Sequence, residues 1–474
     1  MTDWFPGLLS DPRAAILMVL HVAAAGSVSV DVLLHKRDVG SATGWIGLAW
    51  LSPFVGSAIY FLFGINRVNR RARELHETGH TSHSPRHPDS DRDDHLAALD
   101  RAATTITGRP ALGGNGIKLL HNGDETYPLM LAAIDRAKTS IGLSSYILRD
   151  DEAGGPFIDA LIRAKKRNVA VRVLIDGVGG GYFTSSAYRR LHREGVPVVR
   201  FMHSLLPWRM PFLNLRSHKK ILVVDGRHGF TGGLNIGAEN VRALGKPNPV
   251  LDTHFAVNGP VVGQLVEAFA NDWTMQTRET LSGDAWFPEL TEAGPQSARV
   301  VTAGPDQDLE KIEFVALMAI TCAQRSVTVM TPYFLCDDKL VSALSLAALR
   351  GVAVDVILPA ESNHRLVDFA MRANVGPLLA SGCRIWKNAP PFDHSKLMAV
   401  DGAWALIGSS NWDMRSFRLN FELNLEVYSA DLAGMLQELM LSKCTARLTA
   451  EELAARPIVT RLRDAGLRLL LPYL

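Results

Sequence analysis

His218-Lys219-Lys220-Ile221-Leu222-Val223-Val224-Asp225, with Gly232-Gly233-Leu234-Asn235 behind it, returns later in the chain as His394-Ser395-Lys396-Leu397-Met398-Ala399-Val400-Asp401 and Gly408-Ser409-Ser410-Asn411. Counted from its histidine, each copy has Lys at two, Asp at seven, Gly at fourteen and Asn at seventeen. A lone His-x-Lys carries no information. Repetition of the whole set marks an internal duplication. The match extends outward on both sides. Upstream, Ser140–Leu148 aligns with Ser326–Leu335, setting Tyr146 opposite Tyr333. Each segment runs through a helical pattern (Phe157–Arg167, Lys339–Arg350) into a β-branched strand (Val169–Ile175, Val352–Leu358). Downstream, Asp252–Val257 lines up with Glu422–Val427 and pairs two carboxylates.

Strands alternating with helices of this size predict an α/β fold built from βαβ units, with a largely parallel sheet and helices on its faces. Two such halves facing each other make one pseudo-symmetric catalytic body with a single cleft. The expected boundaries are a first repeat over 108–290 and a second over 291–474.

The apolar run from each histidine to its aspartate reads as a strand, so residues two apart share a face and the imidazole lies beside the ammonium. Asp225 and Asp401 stand at odd offset and belong to the other face, although their place in the repeat makes them candidate catalytic residues with His218, Lys220, His394 and Lys396. The Gly-rich segments, with Gly233 and Ser409, let backbone approach a phosphate, and Asn235 and Asn411 add amide donors. Phosphodiester exchange needs a nucleophile, a proton donor for the leaving alcohol, and cations for the non-bridging oxygens. Two histidines and two lysines meet these needs when the halves converge. Asp252 and Glu422 are each expected to hold the far nitrogen of the histidine in their own half. A charged ammonium does not ligate, and lysine stands among the candidate ligands twice, so no metal and no cofactor are expected.

The first seventy residues are of another kind. Ala14–Val30 and Trp45–Phe63 are uncharged runs of 17 and 19 residues, close to what spans a hydrocarbon core. They predict two transmembrane helices over 1–66, against a signal peptide or a buried hairpin as rivals, with His21 and Asp31 as costs in the first. Trp45, Trp50 and Tyr60 suit an interfacial belt. Arg67, Arg70, Arg71 and Arg73 outnumber Lys36 and Arg37 of the inter-span loop, which predicts a cytoplasmic catalytic body. A basic segment and flexible linker is expected over 67–107. With 50 basic and 48 acidic residues the net charge is +2, so no global field draws the chain to nucleic acid, which is not expected as a partner. The four cysteines (Cys322, Cys336, Cys383, Cys444) lack metal-ligand spacing and read as reduced core residues.

The paired patterns resemble the phospholipase D superfamily, and the fuller match is to bacterial cardiolipin synthases of the two-repeat type that uses phosphatidylglycerol. The matching stretches include Arg216–Ile221, Leu251–Phe255, Gly408–Phe417 and Asn420–Tyr428. Ser395 departs from the alanine frequent there, and Gly233 from the serine of the second repeat. The resemblance implies a two-step transfer between phosphatidylglycerol molecules without a metal, at the inner membrane of a bacterial cell, with a multi-pass anchor. It implies His218 as nucleophile and His394 as acid/base. Hydrolysis to phosphatidic acid uses the same residues and is the main rival; a nuclease or a non-catalytic scaffold fits less well. Two segments bear on lipid contact. Ser204–Leu215 is apolar, carries two prolines and ends just before His218, which suits insertion among acyl chains. Arg461–Leu474 alternates Arg and Leu at helical spacing, and either lies on the membrane or docks on the body.

Overall fold

The computed structural model describes residues 12–36, 39–52, 54–63, 92–203, 215–306 and 308–469. The chain forms two compact units, Met1–Glu74 and Leu75–Leu474.

In the first unit, Pro12–His35 is one helix of 24 residues, and it is the one helix among the described residues long and apolar enough to cross a membrane. Ile16, Leu17, Val19, Leu20, Leu33 and Leu34 are exposed on it. The second uncharged run, expected as a second transmembrane helix, is not one continuous helix. It breaks into Val39–Leu51 and Val55–Phe63, of 13 and 9 residues. At 1.5 Å per residue neither alone reaches across a core of about 30 Å. The break falls at Ser52, just before Pro53, because a residue preceding proline is driven out of the helical region. The polar residues of the long helix find partners inside the unit: the Tyr60 hydroxyl donates to Asp31 Oδ2 at 2.6 Å, and His21 Nε2 meets the Trp50 carbonyl at 3.2 Å. Tyr60 is buried with its ring edge-on to Trp45 at 5.2 Å. The arginines from Arg67 to Arg73 lie outside the described residues.

In the second unit the first half contributes strands β1 (Leu112–His121), β2 (Ser140–Ser145), β3 (Ala170–Asp176), β4 (Val198–Phe201), β5 (Arg216–Ser217), β6 (Ile221–Val224), β7 (His228–Gly232) and β8 (Thr253–Asn258). The second half contributes β9 (Gln296–Ala303), β10 (Ser326–Met330), β11 (Phe334–Leu335), β12 (Ala353–Pro359), β13 (Arg384–Asn388), β14 (Leu397–Val400), β15 (Trp404–Gly408), β16 (Trp412–Asp413), β17 (Asn420–Tyr428) and β18 (Cys444–Leu448). One sheet runs through both halves, and β1 and β9 pair antiparallel at its centre. Outward from β1 the order is β8, β7, β6, β2, β3, β4; outward from β9 it is β17, β15, β14, β10, β12, β13, with β18 added at the edge. The duplication read from the motifs is therefore a duplication of topology.

The sheet is mixed, not largely parallel. Along the main path β2–β3–β4 and β10–β12–β13 run parallel, joined by the crossover helices that the alternation predicted, and the short β5 adds one parallel pairing with β17. The motif strands are hairpins: β6 turns into β7 through Asp225-Gly226-Arg227, and so short a connection imposes antiparallel pairing. Asp225 and Gly226 both have positive φ, 53° and 62°, the backbone that a tight hairpin turn demands. Asp401 and Gly402 repeat it at 56° and 60°.

A single apolar core joins the halves, with Ile117, Ile221, Phe255 and the helix Val261–Thr277 packed against Val300, Leu397, Leu425 and Leu436. The stretch 92–107, expected within the linker, is folded onto the body: Leu96 at the N-terminal cap of the helix Ala97–Thr107, and Leu99 and Ala103 on it, enter the second half's core. Fully buried Arg299 fastens that helix, reaching Asp100 Oδ1 at 2.6 Å and Glu426 Oε2 at 2.5 Å. Loss of one partner from such a buried group costs about 3–5 kcal/mol. The helix Ile458–Arg468 docks on Arg365–Asn374, with Arg463 stacked 3.6 Å from the Phe369 ring and Asp464 buried between Arg456 and Arg463. All four cysteines are unpaired. Of the apolar segment before His218, residues 204–214 lie outside the described residues.

Candidate active site

Each histidine follows a two-residue or single-residue contact with the opposite half. β5 pairs with β17, and the His218 amide donates to the Phe421 carbonyl at 2.8 Å. In the other copy Leu251 bridges Asp393, and the His394 amide donates to the Leu251 carbonyl at 2.7 Å. The motif strands begin only at Ile221 and Leu397, so His-x-Lys is irregular backbone at a strand entrance. Both lysines are buried and fold back on their histidines: Lys220 Nζ donates to the His218 carbonyl at 2.6 Å, and Lys396 Nζ to that of His394.

The two imidazoles face each other across one cleft with ring centroids 6.3 Å apart. Tyr146 stands edge-on to His218 at 5.0 Å and Tyr333 to His394 at 6.2 Å. The carboxylates are present but crossed. His218 Nδ1 lies 3.0 Å from Glu422 Oε2, and His394 Nδ1 lies 2.9 Å from Asp252 Oδ2. The expected pairing within each half is thus corrected. The cause is the β5–β17 contact and its counterpart, which thread each histidine onto the other half's carboxylate strand. Sequence alignment of the copies cannot reveal this, because it registers equivalent positions and not which copy each one touches.

Glu422 is fully buried and also accepts from the Ser409 hydroxyl at 2.5 Å and from Asn420 Nδ2 at 3.2 Å. Asp252 accepts from the Thr253 amide at 2.8 Å. A Cβ on Gly233 would lie 2.2 Å from Asp252 Oδ1, which is why glycine stands where the second copy has Ser409. With Nδ1 held by a carboxylate, Nε2 of each ring is left for chemistry. Asn235 and Asn411 line the cleft, and the Oδ1 atoms of both are buried without a protein partner.

Burial dominates the electrostatics. It pushes Asp252 and Glu422 up to about 7, against the pull of Lys396 and Lys220 respectively. Burial lowers Lys220 to about 8 and Lys396 to about 7. Both imidazoles are held well below the ordinary histidine value by burial and then by the two ammoniums. The groups are poised for an anion that supplies the missing counter-charge.

Asp225 and Asp401 are not in the cleft, and their candidacy as catalytic residues is corrected. Asp225 accepts from the amides of Lys138, Thr139 and Ser140, and Asp401 from those of Gln324, Arg325 and Ser326. Burial raises both carboxyls, but these donors outweigh it and hold them below the usual carboxylate range. His95 Nε2 adds a contact to Asp401 at 2.7 Å. Each aspartate ties its hairpin to the start of the neighbouring strand, β2 or β10. Among the described residues no three His, Cys, Asp or Glu side chains gather as metal ligands.

The cleft opens into a cavity of about 780 Å³ lined from both halves. Arg216, Arg415 and Asn420, which fall in the stretches that carry the family resemblance, and Glu239 line it, and none of the four is among the site residues expected from the sequence. Nothing in their spacing marks them, since the two copies differ at these positions.

A family profile described as "Cardiolipin synthase, PLD-like domain" matches residues 130–273 and 317–443, and one described as "Phospholipase_D-nuclease N-terminal" matches 23–64. The chain is 32% identical to a cardiolipin synthase of Geobacillus kaustophilus, over 94% of this chain and 91% of that protein. It is 32% identical to a cardiolipin synthase of Alkalihalophilus pseudofirmus, over 99% and 96%. Its fold is similar to the crystal structure of a phosphatidylserine synthase from Haemophilus influenzae Rd KW20, with a TM-score of 0.61, 16% identity, and coverage of 79% of this chain and all of that one.

Proposed function

The chain belongs to the cardiolipin synthase family of phospholipase D-like phosphatidyltransferases, and on that premise we propose that it transfers a phosphatidyl group between two phosphatidylglycerol molecules, giving cardiolipin and glycerol. His218 Nε2 attacks the donor phosphorus while His394 gives its proton to the departing glycerol oxygen, so that a P–N bond forms as a P–O bond breaks. His394 then takes the proton from a hydroxyl of the second phosphatidylglycerol, whose oxygen displaces His218 and releases it with its electron pair. The observation that carries this reading is the pair of facing imidazoles 6.3 Å apart, each oriented at Nδ1 by a carboxylate. Lys220 and Lys396 neutralise the non-bridging oxygens, and Asn235 and Asn411 donate to them. A bound phosphodiester raises the ammonium and imidazolium charges that burial suppresses in the empty cleft. Asp252 and Glu422 fix the tautomers, and Asp225 and Asp401 hold the hairpins.

The test is purified protein with labelled phosphatidylglycerol in mixed micelles. Cardiolipin with glycerol is expected; phosphatidic acid with glycerol would overturn the reading in favour of hydrolysis.

The first unit is proposed to anchor the enzyme in a bacterial inner membrane as a multi-pass segment, Pro12–His35 crossing once and the two short helices returning in tandem. The arginines at 67–73 support a catalytic body on the cytoplasmic side, facing lipid and not nucleic acid. A reporter fused after Leu474 that matured only outside the cytoplasm would contradict this.

A further inference from the structure

The two copies agree at the residues that do the chemistry and disagree at the rim of the same cavity, and the disagreement is one-sided. Two residues before the histidines stand Arg216 and Phe392. Two residues before the carboxylates stand Asn420 and Val250. Four residues after the cleft asparagines stand Arg415 and Glu239. All six line the cavity. Because the pairing is crossed, they sort into two walls: Arg216 pairs in register with Asn420, and the matching bridge sets Phe392 beside the Val250–Leu251 segment. One wall thus has two guanidiniums and an amide, around His218. The other has an aromatic ring, a valine and a carboxylate already occupied by Arg149 at 2.9 Å.

A reaction on one phosphate is served by the symmetric set of histidines, lysines and asparagines and needs no such asymmetry. Joining two phosphatidylglycerol molecules brings a second phosphate, the acceptor's own, a glycerol bridge away from the attacking hydroxyl. Resting on the proposed function, we propose that the wall of Arg216, Arg415 and Asn420 is the subsite for the non-reacting phosphate and glycerol of the acceptor lipid. The charges suit it. Arg216 is lowered by burial first, with Asp176 raising it and the like charge of Arg415 lowering it, and buried Asp413 on the cavity wall feels Arg415 in turn, so the two guanidiniums stand together on one side of the cavity. Asn420 Nδ2 is committed to Glu422, which leaves its buried, unpartnered Oδ1 as acceptor for the bridging glycerol hydroxyl.

The assay compares two acceptors in one full-length enzyme: phosphatidylglycerol, read as cardiolipin, and labelled glycerol, read as exchange into phosphatidylglycerol. Both use the histidines and the donor phosphate, but only the first brings a second phosphate. In R216Q and R415Q the ratio of cardiolipin formed to glycerol exchanged falls at least about tenfold, as expected for loss of a charge-assisted contact, and R216K and R415K recover part of it. A ratio unchanged from wild type, whether both rates fall or neither does, overturns the subsite. Wild-type enzyme that yields only phosphatidic acid overturns the proposed function itself, and the subsite with it.

Discussion

Replacing one histidine-holding carboxylate at a time separates the crossed arrangement from pairing within each half. Glu422 accepts three hydrogen bonds, from His218, Ser409 and Asn420, at 3.0, 2.5 and 3.2 Å. An amide offers one acceptor oxygen and places an N–H₂ on the other side, so in Glu422→Gln one donor faces a donor whichever way the amide turns. With the amide oxygen at the Oε2 position His218 keeps a neutral acceptor, and turned away it keeps the Ser409 carbonyl at 3.0 Å, but in both cases it loses the negative charge that holds its proton on Nδ1 and its lone pair on Nε2. Loss of the orienting carboxylate in a hydrolase triad costs about 10⁴ in kcat. For either Glu422→Gln or Asp252→Asn we expect a fall of about 10³–10⁴-fold with natural lipid, roughly 4–5.5 kcal/mol of barrier. The discriminating substrate is a phosphatidyl ester of 4-nitrophenol, which leaves without a proton. It rescues adduct formation in the variant whose damaged histidine is the acid and not in the one whose damaged histidine is the nucleophile. Asp252→Asn damages His394, so it retains a covalent adduct, mapped by mass spectrometry to His218. Had the histidines the reverse roles, Glu422→Gln would retain an adduct on His394. In both cases the surviving adduct and the replaced carboxylate lie in the same half. A surviving adduct in the half opposite the replaced carboxylate would refute the crossed pairing.

Asp225→Ala and Asp401→Ala strip three backbone amides of their acceptor and lower stability by about 1–3 kcal/mol each, seen as a lower Tm, while activity per folded molecule stays near wild type; a folded but inactive variant would restore them as catalytic. Because the acid His394 is held well below the ordinary histidine value and burial lowers Lys396 to about 7 and Lys220 to about 8, kcat/KM falls as pH rises through neutrality, whereas a plateau extending toward pH 10 would show ordinary lysines and an acid other than His394. On the acid side, Asp252 and Glu422, raised to about 7, lose their charge as pH falls, so the profile is a narrow bell. Activity persists after exhaustive chelation, and abolition by chelator with restoration by one divalent ion would count against the lysines as the neutralising groups.

What the sequence disclosed and what it hid divide along physical lines. The repeated offsets located the histidines, lysines and asparagines, because a shared phosphate imposes the same local spacing on each copy. The carboxylates Asp252 and Glu422 were legible as positions but not as partners, since exchange between halves depends on how β5 meets β17. Asp225 and Asp401 share the motif's regularity for a different reason: a hairpin with a left-handed residue needs the same tether both times. The parallel strands followed from βαβ alternation, while the hairpins that make the sheet mixed were hidden in three-residue turns. Pro53 was in plain view, but an uncharged run scored by length alone passes over the break it imposes. Arg216 and Arg415 were invisible to a search for repetition because their significance is that they do not repeat.

The stereochemical course at phosphorus tests the central claim most directly, that one histidine takes the phosphatidyl group before a second lipid does. Phosphatidylglycerol made chiral at phosphorus with sulfur and an oxygen isotope would be converted by the enzyme, and the product's configuration read by phosphorus NMR. Two in-line displacements, onto histidine and off it, predict overall retention. Inversion would mean a single direct transfer between lipids and would contradict the account.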